Sequence, residues 1–354
     1  MKAGLLLNFQ NYRNQLSDAQ SVTEELRIAE LAEPLGFDSV WCVEHHFTDY
    51  AACPDNTQML AWLAGRTKRI ELGTGAVIVP WNDPLRVAEK MAFLDHVSQG
   101  RARLGLGRGL SRIEYDGLGV DMNESRLRFD EGAKMIIEAL ERGFIEGDGP
   151  FYAQPRVEIR PRPLAGFRDR LYCVGMSPES VVQAARLGAR LMTFSSQPWD
   201  IWQAGDFSRY RDTYQAEHHA APAPPLIGDQ CFCHPDSSIA ADRALEYMGN
   251  CFRRLSEHYE IGADHLKQTK GYEHHAETGE LSKQFSDDAK ARGYCDVQLF
   301  GTPDEILGKL QARRELLGDF ELALSVRFGG LPMNQIEESL RLFARDVLPE
   351  IQSW

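Results

Sequence analysis

Residues 83–110 read DPLRVAEKMAFLDHVSQGRARLGLGRGL, and this stretch contains one complete passage from helix to strand. Asp83 followed by Pro84 opens a helix, because proline's missing N–H and fixed φ suit the first helical turn. RARLGLG (101–107) then forms a strand, and Arg108 stands between Gly107 and Gly109 where that strand ends. An amphipathic helix feeding a short, nearly continuous apolar strand is the pattern of a parallel sheet buried on both faces.

The same pattern repeats in both directions. Upstream lie KAGLLLN (2–8), FDSVWCV (37–43), a helical stretch near 55–66 and RIELGT (69–74). Ser21 with Glu24 three places on forms a capping box, which predicts a helix beginning there. Val22, Leu26, Ala29, Ala32 and Leu35 then recur at spacings of three and four, and Gly36 ends the helix. Downstream come RLYCVG (170–175), ARLMTFS (189–195), PLIGDQCFCH (225–234) and FELALSVRF (320–328), followed by a last helix with Ile336, Leu340, Phe343 and Val347 on one stripe. Eight such strands predict an α/β fold closed as a (β/α)8 TIM barrel, one domain over residues 1–354. Two insertions interrupt it, 109–125 after strand four and about 257–300 before strand eight. The second contains KQTKGYEHHAETGELSKQFSDDAKARGY, the composition of a mobile lid over an active site; an inert surface insertion is the alternative.

Hydrophobic residues make up 43% of the 354, enough for a large core and far from the composition of a disordered chain. Lys plus Arg number 39 against 52 Asp plus Glu, a net charge of −13, so the general field repels nucleic acid and anionic membranes. A small-molecule partner is expected. The start, MKAGLLLNFQ, carries too short an apolar run for a secretory signal, so the cytoplasm is the expected location. Seven cysteines without paired spacing predict free thiols. Cys231 and Cys233 share a strand face beside His234, but no further ligands stand at a recognised spacing, and no metal is expected.

In a barrel, residues at the carboxyl ends of strands face the active site. Strand two ends in Glu44, His45 and His46; neighbouring strand residues point to opposite faces, so at most one or two of them reach a substrate. A histidine there suits proton transfer near neutral pH. Strand three ends in GTGAVIVP (73–80), where Gly73 and Gly75 allow a flat ligand close to the backbone. Arg108 offers a planar fork of donors suited to phosphate. Strand five runs into Ser177 and Pro178, the start of a helix whose amino terminus attracts an anion; Ser177 and Ser180 also read as plain caps of that helix.

With EHHFTDY (44–50), GTGAVIVP, the 83–110 run, GVDMNESR (119–126) and GTPDEI (301–306) in view, the chain resembles the bacterial luciferase-like monooxygenase family, nearest its catalytic alpha subunits. The resemblance implies a (β/α)8 barrel that takes reduced FMN from a separate flavin reductase, activates O2 as a flavin C4a-hydroperoxide and oxygenates a small organic substrate. It also implies a homodimer. It places His45 as the catalytic histidine with His46 and Glu44 in support. FMN phosphate would be held by Arg108, Ser177, Ser180 and the backbone of Met176. Gly75 and Ala76 would form a non-proline cis peptide beneath the flavin ring, and Leu110, Arg126, Met192 and Phe194 would line the pocket. One departure stands out: Gly107 occupies the position of a reactive cysteine in luciferase. A glycine there leaves room for a bulkier or differently oriented substrate than a long straight aldehyde.

Two readings compete with this one. Barrel relatives of the family transfer hydride with the deazaflavin F420, and luciferase-type partner subunits keep the barrel without the active site. His45 and Arg108 weigh against the second. Metal-dependent hydrolysis, a third class, lacks a matching set of His and Asp at further strand ends.

Overall fold

The computed structural model describes residues 1–354 and contains a ring of eight parallel strands. In chain order these are β1 (Ala3–Leu7), β2 (Ser39–Cys42), β3 (Glu71–Thr74), β4 (Ala102–Gly107), β5 (Leu171–Val174), β6 (Arg190–Phe194), β7 (Leu226–Cys233) and β8 (Glu321–Ser325). The ring closes where β8 pairs with β1, Ala3 opposite Leu322, and where β7 pairs with β6, Leu226 opposite Met192. Helices surround it, so the fold is the (β/α)8 barrel expected from the eight apolar runs.

Alternation along each strand sorts side chains between two cores. Leu5 and Leu7 of β1, with Val40 and Cys42 of β2, face the outer layer against the helices. Leu6, Trp41, Val43, Tyr172, Met192, Leu226 and Ala323 fill the interior. Gly73 is required there: a Cβ on it would lie 2.2 Å from Trp41 Cε3, so the indole occupies the space of the missing side chain. Trp41 in turn meets Tyr172 edge to face at 4.7 Å. Below them the amino-terminal mouth is closed by polar contacts, Tyr172 hydroxyl to Glu321 at 3.0 Å and Arg190 to Glu321 at 2.8 Å.

The first helix begins a turn earlier than its sequence suggests. It spans Asp18–Ala32, capped by Ser17 with Gln20 closing the box. Ser17-x-x-Gln20 carries the same capping chemistry as Ser21-x-x-Glu24, and the earlier box wins because Ser21 and its neighbours are engaged elsewhere. Ser21, Glu24 and Glu25 instead surround the buried guanidinium of Arg327, at 3.2, 3.3 and 3.2 Å.

The two insertions meet. The first forms the helix Arg112–Leu118 and a 3-10 turn at Met122–Glu124; the second forms the helices His265–Gln268, Glu273–Ser282 and Asp287–Asp296. Tyr115 and Met122 of the first pack with Leu266, Tyr272 and Ala276 of the second in a small apolar cluster above the carboxyl ends of the strands. Among the elements beyond the sequence reading are the hairpin Phe144–Gly147 with Gln154–Glu158, the short strand Val77–Ile78 beside β4, the helix Gly249–His258, and a strand, Leu299–Gly301, that extends the sheet alongside the upper half of β7.

Asp229 on β7 sits at the junction of these layers. Arg313, from the helix Pro303–Leu317, donates to both its oxygens at 2.6 and 3.2 Å, and Ser195 donates to one of them. Both charges are buried, so removing one strands the other. Arg313→Met is expected to lower the free energy of unfolding by about 3–5 kcal/mol, read from urea denaturation. An unchanged midpoint would mean that Asp229 finds another partner.

Candidate active site

A cavity of about 1240 Å³ opens at the carboxyl ends of the strands. Glu44, His45 and His46, just past β2, are placed differently around it. Glu44 is buried and turns toward the loop after β3: it accepts from the Trp81 indole at 2.7 Å, the Asn82 amide at 2.8 Å and the Ile78 backbone N–H at 3.0 Å. His46 leans on Glu44, Nε2 to Oε1 at 3.4 Å, and does not line the cavity. His45 does, and its Nδ1 lies 2.9 Å from Glu114 Oε1.

Glu114 comes from the first insertion and is 1% exposed. Its Oε1 also accepts the His46 backbone N–H at 2.8 Å, and His258 Nε2 lies 3.7 Å away. Burial opposes the charge on Glu114, but the imidazoles of His45 and His258 hold its carboxyl down at about 2. An anionic Glu114 keeps the His45 proton on Nδ1, which leaves Nε2 as an acceptor 3.3 Å from the Tyr259 hydroxyl. His258 is held in turn by Thr48, Oγ1 to Nδ1 at 2.9 Å, and its ring stacks on Tyr50 with centroids 4.6 Å apart; burial lowers its pKa.

Arg108 also lines the cavity. Its Nη1 donates to the Gly271 carbonyl at 2.7 Å, and its guanidinium lies 4.0 Å from the centre of the Tyr272 ring. Gly271 has φ +79°, a conformation that favours glycine, and a Cβ on it would come 2.8 Å from that Nη1. His274 and His275 follow into the cavity. Burial, with Arg108 adding to it, lowers His275 to about 4.

Met176, Ser177 and Ser180 share this wall. The two serines form a capping box for the helix Pro178–Arg186, and Ser180 Oγ accepts the N–H of Met176 at 2.9 Å and of Ser177 at 2.8 Å. Gly75 and Ala76 line the cavity through a cis peptide bond, braced by the Asn56 amide, which donates to the Ala76 carbonyl at 3.1 Å. Leu110 and Phe194 line it as well, whereas Met192 packs beneath it inside the barrel at 2% exposure. Arg126 stands behind the wall with Nη2 buried and unpartnered. At Gly107 a Cβ would meet Ile78 Cδ1 at 3.0 Å and Ala76 Cβ at 3.4 Å, so these side chains already take part of the room that the glycine was expected to leave.

Glu114, His258, Tyr259, Tyr272, His274 and His275 were not singled out by sequence. All six lie in the two insertions or the helix before the second, where no periodicity says which side chain turns inward.

A profile described as luciferase-like monooxygenase matches residues 1–319. The alkanal monooxygenase alpha chain of Photorhabdus luminescens is 26% identical over 345 residues, covering 95% of this chain and 93% of that one. Among solved structures, monooxygenase RslO1 of Streptomyces bottropensis superposes with a TM-score of 0.82 at 29% identity, covering 99% of this chain and 100% of that one. The oxygenating constituent of 3,6-diketocamphane monooxygenase from Pseudomonas putida, in complex with FMN, has a TM-score of 0.76 over 99% and 98% of the two chains. At 19% identity it shares the fold alone.

Glu44→Ala removes the acceptor of three donors, and a buried donor without a partner costs about 1–3 kcal/mol. Its stability is expected to fall by about 2–4 kcal/mol in urea denaturation, and by less in Glu44→Gln. The depressed His275 contributes stability that is intact above its ordinary value of 6.5 and is lost as pH falls toward about 4. Amides of the helix Glu273–Ser282 should therefore lose hydrogen-exchange protection between pH 7 and about 5, after correction for intrinsic rates. Unchanged protection would show that His275 takes up its proton without disturbing the lid.

Proposed function

The chain belongs to the luciferase-like monooxygenase family, and from that premise we propose that it is a two-component flavin monooxygenase. It accepts reduced FMN from a separate flavin reductase and uses O2 to place one oxygen atom in a small organic substrate. The observation that carries this reading is that the His45–Glu114 pair and Arg108 line one cavity at the barrel mouth. FMN named with a related fold supports the choice of cofactor, and the alkanal monooxygenase relatives support the monooxygenase reading.

The residues fit such a cofactor. Arg108 spends only Nη1 on the lid, which leaves the rest of its fork for a phosphate, and the unpartnered Nη2 of Arg126 adds positive charge behind it. Ser177, Ser180 and the Met176 backbone, at the amino terminus of the helix Pro178–Arg186, would complete an anion site, the Met176 N–H turning from Ser180 Oγ to the phosphate. Gly75, Ala76 and Gly107 present a surface without bulky side chains for a flat ring system, flanked by Leu110 and Phe194 with Met192 below. When bound, reduced FMN would supply the electrons that activate O2. His45 Nε2 would accept or return the proton that moves during oxygen transfer, with Glu114 fixing its tautomer and with Glu44 and His46 holding the strand end. The insertion 257–300 would exclude water as a lid on one barrel domain spanning 1–354.

Cytoplasmic location and homodimerisation belong to the same proposal. No helix is long and apolar enough to cross a membrane, and Phe93 and Val97 on the helix Pro84–Val97 are 57% and 40% exposed, an apolar face suited to a second subunit.

Anaerobic titration with reduced FMN tests this reading, and absence of binding overturns it. His45→Ala is expected to bind the flavin nearly as well as the native protein while oxygen transfer slows about 10²–10⁴-fold. Arg108→Ala is expected to weaken flavin binding about 10–100-fold, the loss of a charge-assisted pair.

A further inference from the structure

His45, Glu114 and His258 come from three separate elements: the chain just past β2, the helix Arg112–Leu118 and the helix Gly249–His258. Their donor atoms all lie within 4.8 Å of one another. His258 Nε2 is buried and has no hydrogen-bond partner, although it sits 3.7 Å from Glu114 Oε1. Thr48 engages its other nitrogen and Tyr50 stacks on its face, so the ring is oriented and its free nitrogen is aimed at the carboxylate. A buried nitrogen without a partner is destabilising, and a ligand that takes its lone pair relieves that.

The spacing suits a small cation. A tetrahedral ion with bonds of about 2.0–2.1 Å sets its ligands about 3.3 Å apart. The two contacts of Glu114 Oε1, at 2.9 Å to His45 Nδ1 and 3.7 Å to His258 Nε2, bracket that value. Two imidazoles and one carboxylate suit a first-row transition ion, whereas Mg²⁺ and Ca²⁺ prefer oxygen ligands throughout. Strand ends alone offered no such set; here two of the three donors come from helices packed over the barrel mouth.

We propose that His45, Glu114 and His258 form a three-ligand site for a divalent transition ion, typified by Zn²⁺, and that filling it switches off oxygen transfer. The arriving ion takes the lone pair of His45 Nδ1, and the proton that stood between Nδ1 and Glu114 is returned through solvent to Nε2, so the ligand is the neutral imidazole tautomer. Glu114 and His258 supply the other two bonds, and because His45 and Glu114 line the cavity, a water completes the shell from that side. His45 is then a fixed metal ligand and no longer free to exchange a proton with a reactant. The inhibitory half rests on the proton-transfer role proposed for His45; the binding half does not.

The test uses the full chain without flavin, titrated with Zn²⁺ against a chromophoric chelator and, separately, with Co²⁺ followed by visible absorption. One equivalent is expected to bind, with a tetrahedral cobalt spectrum. His258→Gln should weaken binding at least about tenfold, and Glu114→Gln serves the same purpose should the first variant fail to fold. His234→Ala, beside Cys231 and Cys233, should bind as the native protein does. Absence of binding, or binding that survives both the His258 and Glu114 substitutions, overturns the site. Zn²⁺ that binds as expected yet leaves substrate oxygenation unchanged overturns the inhibitory half. Failure of the flavin reading would show separately, in the titration with reduced FMN.

Discussion

Backbone hydrogen bonds close eight strands into a ring, and that closure decides where everything else goes. Because all the strands are parallel, every carboxyl end points to one mouth. Seven connections must then return outside the ring, and the helices that make them, with the helices after β8, bury the larger of the two cores. The loops left at the mouth are free to vary, which is why the two longest departures from the helix–strand alternation face each other across it.

What those departures add is charge management. The end of β2 brings two histidines and a glutamate to the rim, but by itself it gives neither histidine an orientation. Glu114 does so from the first insertion, and His258 and Tyr259 arrive at the start of the second, where the helix Gly249–His258 ends. A carboxylate this deeply buried is tolerable only beside partners that favour its ionised form. The lid meets Arg108 in a different way, with a carbonyl and an aromatic face, contacts that leave the guanidinium's charge uncancelled.

The barrel was legible in the sequence because its strands are buried on both faces and therefore apolar throughout, and because Asp83–Pro84 and Ser177–Pro178 mark helix starts with local chemistry. Legibility failed where two local signals competed or where none existed. Ser17 and Ser21 both open capping boxes, and the distant Arg327 decides between them by engaging Ser21. Leu299–Gly301 is too short to show a period, and Pro155 obscures one arm of the hairpin. In the site, His45 and Arg108 stood out because strand ends have a known direction. Glu114 and His258 did not, since a charged residue in a polar insertion looks the same whether it faces solvent or a buried imidazole.

Tyr172, Arg190 and Glu321 close the lower mouth, and Trp41 fills the waist above them. The cavity is therefore a vessel with a closed floor that opens at the carboxyl ends of the strands. In such a vessel the molecule seated deepest enters first and departs last, so the order of filling and emptying is written into the plugged floor before any reaction begins.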